Sequence, residues 1–210
     1  MFKDIVTSRE ELRAIYGAPG ERAVLKERAH LDVHTREFIA RSPFVLLATS
    51  NRAGRCDVSP KGDAPGFVMV LDDTHLVIPD RVGNNRIDGL TNIVENPHLG
   101  MIFLIPGRED TLRVNGRACI LRDGEILGRL EVQGKQPKVA IGVEVEECFL
   151  HCAKAFKRSG LWDRERWPDV AGLPSMAKIL WDQIDLKATA QCSADDYERD
   201  MEDRLRKGLY

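Results

Sequence analysis

Arg81, Asn84, Asn85 and Arg86 stand within one short stretch, and Lys61 stands upstream of them. Two guanidinium groups bracketing Gly83-Asn84-Asn85 supply planar, bidentate donors of the kind that fit a phosphate, and the amides add neutral donors. The residues on either side give the stretch a shape. An apolar, strand-like run at 74–78 leads through Ile78, Pro79 and Asp80 into the loop, and a helical pattern of Ile87, Leu90, Ile93 and Val94 follows until Pro97. A strand therefore delivers a loop that caps a helix, expected over 84–96. The unpaired N–H groups of a helix start and the positive end of its dipole attract anions. This chemistry points to the phosphate of a small cofactor.

A second group of polar residues lies in Asp57-Val58-Ser59-Pro60-Lys61-Gly62-Asp63. Proline cannot donate to a strand ladder, so this strand end is an edge or borders a cavity. Placed in a meander, Lys61 and Gly62 fall two strands before the loop and can lie near Arg81 and Arg86.

Several elements must carry these groups. Ser8-Arg9-Glu10-Glu11 is a capping box for a short opening helix that Gly17 stops. Residues 21–41 read as one or two further helices, ended by Pro43. Strand-like runs then recur at 44–49, 56–60, 67–71 and 74–78, with turn residues between them, which predicts an antiparallel meander. Further strands are expected at 99–105, at 111–121 with a break near Gly116, and at 139–150, with a short helix at 125–132. At least six strands with inserted helices indicate a mainly β chain with helices, an antiparallel and closed or partly closed barrel. We expect one domain overall: N-terminal helices at 1–42, the barrel at 43–150, and a basic segment with helices at 151–210. In that last part, Met176, Ile179, Leu180 and Ile184 have helical spacing. Ser193 caps a final helix striped by Tyr197, Met201 and Leu205.

Composition and missing motifs exclude several classes. Lys+Arg 31 against Asp+Glu 33 gives a net charge of −2, with no basic excess for nucleic acid. The apolar runs are shorter than the roughly 18–20 residues of a membrane span, and Met1 to Glu11 lacks a leader-like apolar core, which points to the cytoplasm. There is no Gly-x-Gly-x-x-Gly with βαβ alternation, no nucleotide P-loop and no Gly-x-Ser-x-Gly elbow. The cysteines Cys56, Cys119, Cys148, Cys152 and Cys192 read as reduced and mostly buried. Neither Cys148/His151/Cys152 nor the i,i+4 pair His30/His34 has the ligand count of a metal site, so no metal is expected. Trp162, Trp167 and Trp181 read as anchors for the tail.

Taken in order, Phe38-Ile39-Ala40-Arg41-Ser42-Pro43-Phe44, Ser59-Pro60-Lys61-Gly62-Asp63, the run 78–86, Asn96-Pro97 and Leu112-Arg113-Val114-Asn115-Gly116 resemble the pyridoxamine 5′-phosphate oxidase-like family of FMN-binding split barrels. The matching span is about 38–156. The resemblance implies a homodimer with FMN at each subunit interface. It places Ser59, Pro60 and Gly62 near the flavin ring, with Lys61 as the cation that would stabilise the reduced ring. It places Lys61, Arg81, Asn84, Asn85 and Arg86, at the end of the Ile78-Pro79-Asp80 strand, on the ribityl phosphate. Thr111 and Arg113 match a position that reaches the cofactor from the partner subunit, and Lys154 and Arg158 match a segment that closes the site. The Arg-Leu-His-Asp-Arg-like motif by which true pyridoxamine phosphate oxidases hold substrate has no counterpart here. The expected function is an FMN-dependent oxidoreductase with a small-molecule electron donor and acceptor, and no catalytic acid or base is assigned. The alternatives are a flavin-binding sensor or store without turnover, or a split barrel serving haem or a deazaflavin.

Overall fold

The computed structural model describes residues 1–184 and 192–210. Three helices open the chain: α1 (Arg9–Tyr16), α2 (Glu21–Leu25) and α3 (Val33–Arg41). Ser8 caps α1 by accepting from the Glu11 N–H at 3.1 Å, and Gly17 ends it at φ 69°, a conformation in which a Cβ would be strained. Asp32 caps α3, so that helix starts after His30; the expected sharing of one helical face by His30 and His34 does not occur. Of the three helices, only α3 buries side chains, Thr35, Phe38 and Ile39.

The strands are β1 (Phe44–Ser50), β2 (Cys56–Gly62), β3 (Met69–Val70), β4 (His75–Pro79), β5 (His98–Leu104), β6 (Thr111–Leu121) and β7 (Ala140–His151). Helix α4 (Asp88–Glu95) follows β4, and α5 (Gly124–Arg129) joins β6 to β7. All pairings are antiparallel, in the order β2-β1-β5-β6-β7-β4-β3. The fold class is the expected mainly β split barrel with flanking helices. The expected meander through the first four strands is not formed. The hairpins β1-β2 and β3-β4 both exist, but β5, β6 and β7 lie between them and place β2 and β3 on opposite edges. Burial explains this order. β5, β6 and β7 carry buried core residues such as Met101, Phe103, Leu112, Val114, Ile141 and Val143 and lie inside the sheet, whereas proline-bearing β2 tolerates an edge.

Alternation is strict on β1: Val45, Leu47 and Thr49 are buried, and they oppose Lys61, Ser59 and Asp57 on β2. The inward residues of the sheet join Phe38, Ile39 and Ile93 in one core that includes Met101, Phe103, Leu112, Val114, Ile141 and Val143. The outward face of β2-β1-β5 is also apolar: Phe44, Leu46 and Ala48 register with Gly62, Pro60 and Val58 on one side and Leu104, Ile102 and Gly100 on the other. Of the five cysteines only Cys148 is buried, contrary to expectation; Cys56, Cys119, Cys152 and Cys192 are exposed, in keeping with outward or loop positions. Burial raises the Cys148 thiol to about 11.

Beyond β7 the chain forms α6 (Lys154–Ser159), α7 (Met176–Gln183) and α8 (Ala194–Lys207). Trp162 donates to the Arg108 carbonyl at 2.9 Å and stacks on Phe156, whereas Trp181 is buried against Tyr197 of α8. Trp167 donates to the Leu161 carbonyl within the tail itself.

The break in β6 is a bulge between Asn115 and Gly116. A Cβ at Gly116 would lie 2.1 Å from the Glu144 carbonyl oxygen on β7, so the two backbones approach too closely for any side chain. Gly116→Ala is expected to destabilise the fold by about 2–3 kcal/mol, measured by chemical denaturation, as backbone must shift to admit the methyl.

Candidate functional site

The end of β2, one edge of the sheet, meets the loop after β4, the strand next to the other edge, through side chains. At the end of β2, Lys61 Nζ lies 3.0 Å from Asp80 Oδ1, just past the end of β4. One step further along each chain, Arg81 Nε donates to Asp63 Oδ2 at 2.7 Å. Lys61 is thus near Arg81 as expected, but through contacts between the end of β2 and the loop after β4 rather than through a meander. The Asp63 side chain is only 2% exposed and that of Arg81 17%. Asp63 Oδ1 also accepts from the Ala64 N–H at 2.7 Å and from the Tyr210 hydroxyl at 2.6 Å. Burial acts to raise the Asp63 carboxyl, but the hydrogen bonds from Tyr210, Ala64 and Arg81 outweigh it and hold it below its ordinary value. Arg81 Nη1 donates in turn to the Leu130 carbonyl at 2.8 Å, so this guanidinium is committed to the protein's own structure.

The loop that follows opens toward a cavity of about 610 Å³. Helix α4 starts at Asp88, later than expected, and its N-cap is Ile87, held at φ 51° with no side-chain cap. Neither asparagine caps the helix: Asn84 Oδ1 instead accepts from the Arg86 N–H at 3.1 Å, and Asn85 adopts φ 58°. A left-handed β-branched residue is unfavourable, and such strain persists where surrounding structure enforces it. Here it turns the first residues of α4, Asp88, Gly89 and Leu90, into the cavity wall without a capping side chain in front of them. A Cβ at Gly89 would lie 3.5 Å from Asp57 Oδ2, 3.7 Å from Thr49 Oγ1 and 3.9 Å from Ser59 Oγ, so a bare backbone faces the polar edge of β2. The helix is held there by Asn92 Nδ2, which donates to Thr49 Oγ1 at 3.0 Å in a buried contact, and by Asn96 Nδ2, which donates to Ser50 Oγ.

Of the residues singled out in the sequence, Ser59, Lys61, Asp80, Arg81, Asn84, Asn85 and Arg86 line this cavity. Pro60, Gly62 and Pro79 line a second one on the other side of the loop, and Ile78 is buried in the core. Thr111 and Arg113 on β6 and Lys154 and Arg158 on α6 stand outside it. Arg113 pairs with Glu147 at 2.8 Å and lies over the Phe149 ring. Arg86 is held only by an exposed pair with Asp88, its own side chain 73% exposed. Such a pair contributes little and leaves the guanidinium available to a ligand. Sequence reasoning missed Asp57, Gly89, the 135–138 loop with Lys135 and Lys138, and Tyr210, all of which line the cavity. Asp57 was legible from its alternation with Ser59 and Lys61, and Gly89 lies three residues after Arg86 in the expected helix; the 135–138 loop and Tyr210 come from distant parts of the chain and left no local signal. Five cationic side chains (Lys61, Arg81, Arg86, Lys135, Lys138) face three carboxylates (Asp57, Asp80, Asp88), so the cavity suits an anion.

Residues 31–152, more than half of the chain, match the family model of pyridoxamine 5′-phosphate oxidase. The chain belongs to that family. No curated protein matches it. Among solved structures it is similar to tagged HupZ of Group A Streptococcus, at 22% identity and a TM-score of 0.46 over 57% of this chain and 93% of that one. It is also similar to an FMN-binding protein from Syntrophomonas wolfei, at 14% identity and 0.42 over 68% and 96%. General Stress Protein 26 from Bacillus anthracis str. Sterne follows at 19% and 0.38 over 56% and 94%.

Asp63→Ala is expected to destabilise the fold by about 3 kcal/mol, because it leaves the largely buried Arg81 without its counter-charge. The folded-state carboxyl of Asp63 is depressed, so its contribution is present above the unfolded value of about 3.9 and is lost as pH falls through the folded one. Denaturation at pH 7 and pH 3 should therefore show a smaller gap between wild type and Asp63→Asn at the lower pH.

Proposed function

We propose that the cavity binds FMN and that the protein is an FMN-dependent oxidoreductase. The observation that carries this reading is the start of α4, which has no side-chain cap and is turned into the cavity by Ile87, beside an Arg86 guanidinium held only by its exposed pair with Asp88. Backbone N–H groups at a helix start and a mobile cation form a phosphate site. In this reading Arg86, Asn84, Asn85 and the first turn of α4 hold the phosphate. Arg81 fixes the loop through Asp63, and Ser59 and Lys61 border the flavin ring on the inner face of β2. The cavity volume falls within the roughly 300–1,000 Å³ common to small-molecule sites. Bound flavin supplies the electron-accepting chemistry, whereas the chain binds and orients it and excludes water. Lys61 is already paired with Asp80 at 3.0 Å, and its charge near the ring would favour electron uptake.

We further propose that two copies pair through the outward face of β2-β1-β5. Phe44, Leu46, Ala48, Val58, Pro60, Ile102 and Leu104 share that face, and Val58 is 61% exposed on it. A contiguous apolar sheet face left to water marks an association surface. A second copy seated there would bring further residues to the cavity from outside, which is the role proposed for Thr111 and Arg113, with Lys154 and Arg158 closing the site.

The purified protein, given FMN, is expected to show flavin absorption and to bleach anaerobically with NADH or NADPH. A chain that takes up no FMN sinks the cofactor reading, and a yellow chain that neither donor bleaches points to a binder or to another donor. Arg86→Ala is expected to weaken FMN binding roughly 10- to 100-fold, the worth of a charge-assisted hydrogen bond, with the melting temperature unchanged. Sedimentation should give a dimer for the wild type and a monomer for Val58→Asp.

A further inference from the structure

The family match ends at residue 152, and the chain beyond it returns to the site. Helix α8 lies across the outer side of the 81–84 loop. Its apolar stripe of Tyr197, Met201 and Leu205 forms one wall of a cavity of about 730 Å³, whose other wall includes Pro60, Phe67, Pro79 and Val82. Lys61, Arg81, Val82, Gly83 and Asn84 line this cavity and the proposed FMN cavity alike, so the loop is the partition between them. The stripe is incompletely seated: Leu205 is 60% exposed although it faces the barrel.

Tyr197 of α8 packs on Trp181 of α7, and the polar contacts of this segment with the barrel gather at one residue. The Tyr210 hydroxyl donates to the buried carboxylate of Asp63 at 2.6 Å, its ring stands 5.9 Å from the Arg81 guanidinium, and its backbone oxygen accepts from Lys135 Nζ at 2.6 Å. Tyr210 also lines the FMN cavity itself. One residue thus touches, with its side chain, the ion pair that fixes the loop and, with its backbone oxygen, the 135–138 loop on the far wall, and it borders the space proposed for the cofactor. An element whose polar fastening to the barrel sits at one residue, and whose apolar stripe is partly exposed, opens more readily than the barrel does.

We propose that residues 194–210 form a releasable strap over the phosphate loop, with Tyr210 as the positioning residue that couples strap closure to retention of the cofactor. The proposal rests on the FMN reading and deepens it. With the strap closed, Tyr210 holds Asp63 and Arg81 in place, and the loop keeps Asn84, Asn85 and Arg86 turned to the phosphate. With the strap open, Asp63 and Arg81 still pair, but the loop loses its outer support and the cavity one wall. Coupling of this kind is reciprocal, so bound FMN must steady the strap as the strap steadies FMN.

The test uses the full chain. FMN dissociation is followed by recovery of flavin fluorescence for wild type, Tyr210→Phe and Tyr210→Ala, and amide hydrogen exchange over 194–207 is measured with and without FMN. Dissociation is expected to be about tenfold faster for Tyr210→Ala. An intermediate value is expected for Tyr210→Phe, which keeps the ring and loses the hydroxyl. FMN is expected to slow exchange in 194–207 of the wild type but not of Tyr210→Ala. Equal dissociation rates in all three proteins, or exchange in the wild-type strap that FMN does not slow, overturns the strap and leaves the cofactor reading intact. A wild-type chain that binds no FMN overturns both.

Discussion

The structure depends on a closure that no hydrogen-bonded ladder provides. The seven-stranded antiparallel sheet ends in β2 on one side and in the two-residue β3 on the other, and the end of β2 meets the loop that leaves β4, the strand beside β3. The seam is then crossed by two ion pairs, Lys61 to Asp80 and Asp63 to Arg81. The second is the more constrained, because a carboxylate 2% exposed must be paired and fully hydrogen-bonded to be tolerated. Its donors come from three places: Arg81 after β4, Ala64 in its own turn, and Tyr210 far along the chain. The barrel seam, the 81–86 loop and the C-terminal segment therefore share one buried charge.

That arrangement explains the division of labour between the arginines. Arg81 neutralises Asp63 and ties the loop to the end of α5 through the Leu130 carbonyl, and it has little left to offer a ligand. Arg86 has only an exposed partner and stands beside a helix start with no cap. Of two residues of one type, five positions apart, the first serves rigidity and the second carries the recognition we propose. A loop whose base is pinned and whose tip is free is well placed to order an anion at little entropic expense.

The sequence was right about the proximity of Lys61 and Arg81 for the wrong reason. Regular spacing of short apolar runs suggested a meander, and in a meander neighbouring strands bring the two together. The chain instead inserts β5, β6 and β7 between the hairpins, and the long β6–β7 pairing outweighs the local preference for sequential strands. The helix after the loop was legible from Ile87, Leu90, Ile93 and Val94, but its start was not. Asn84 and Asn85 are favoured caps by residue type, yet Asn84 spends its oxygen on the Arg86 N–H and the helix begins uncapped at Asp88. Nothing local forecasts an isoleucine at φ 51°, since only the packing of α4 on β1, through Asn92 and Thr49, sets that turn.

By itself the sequence determined the main element types, the edge or cavity-bordering place of β2, the family, and the concentration of cations around a loop. These follow from properties read over a few residues: side-chain period, proline's missing donor, and the reach of guanidinium groups. Tertiary structure alone decided strand order, the late and strained start of α4, the exposure of four of the five cysteines, and the presence of Lys135, Lys138 and Tyr210 at the site. Each of those depends on contacts between segments far apart in the chain, where burial of one charge or one apolar face overrides what neighbouring residues would choose alone.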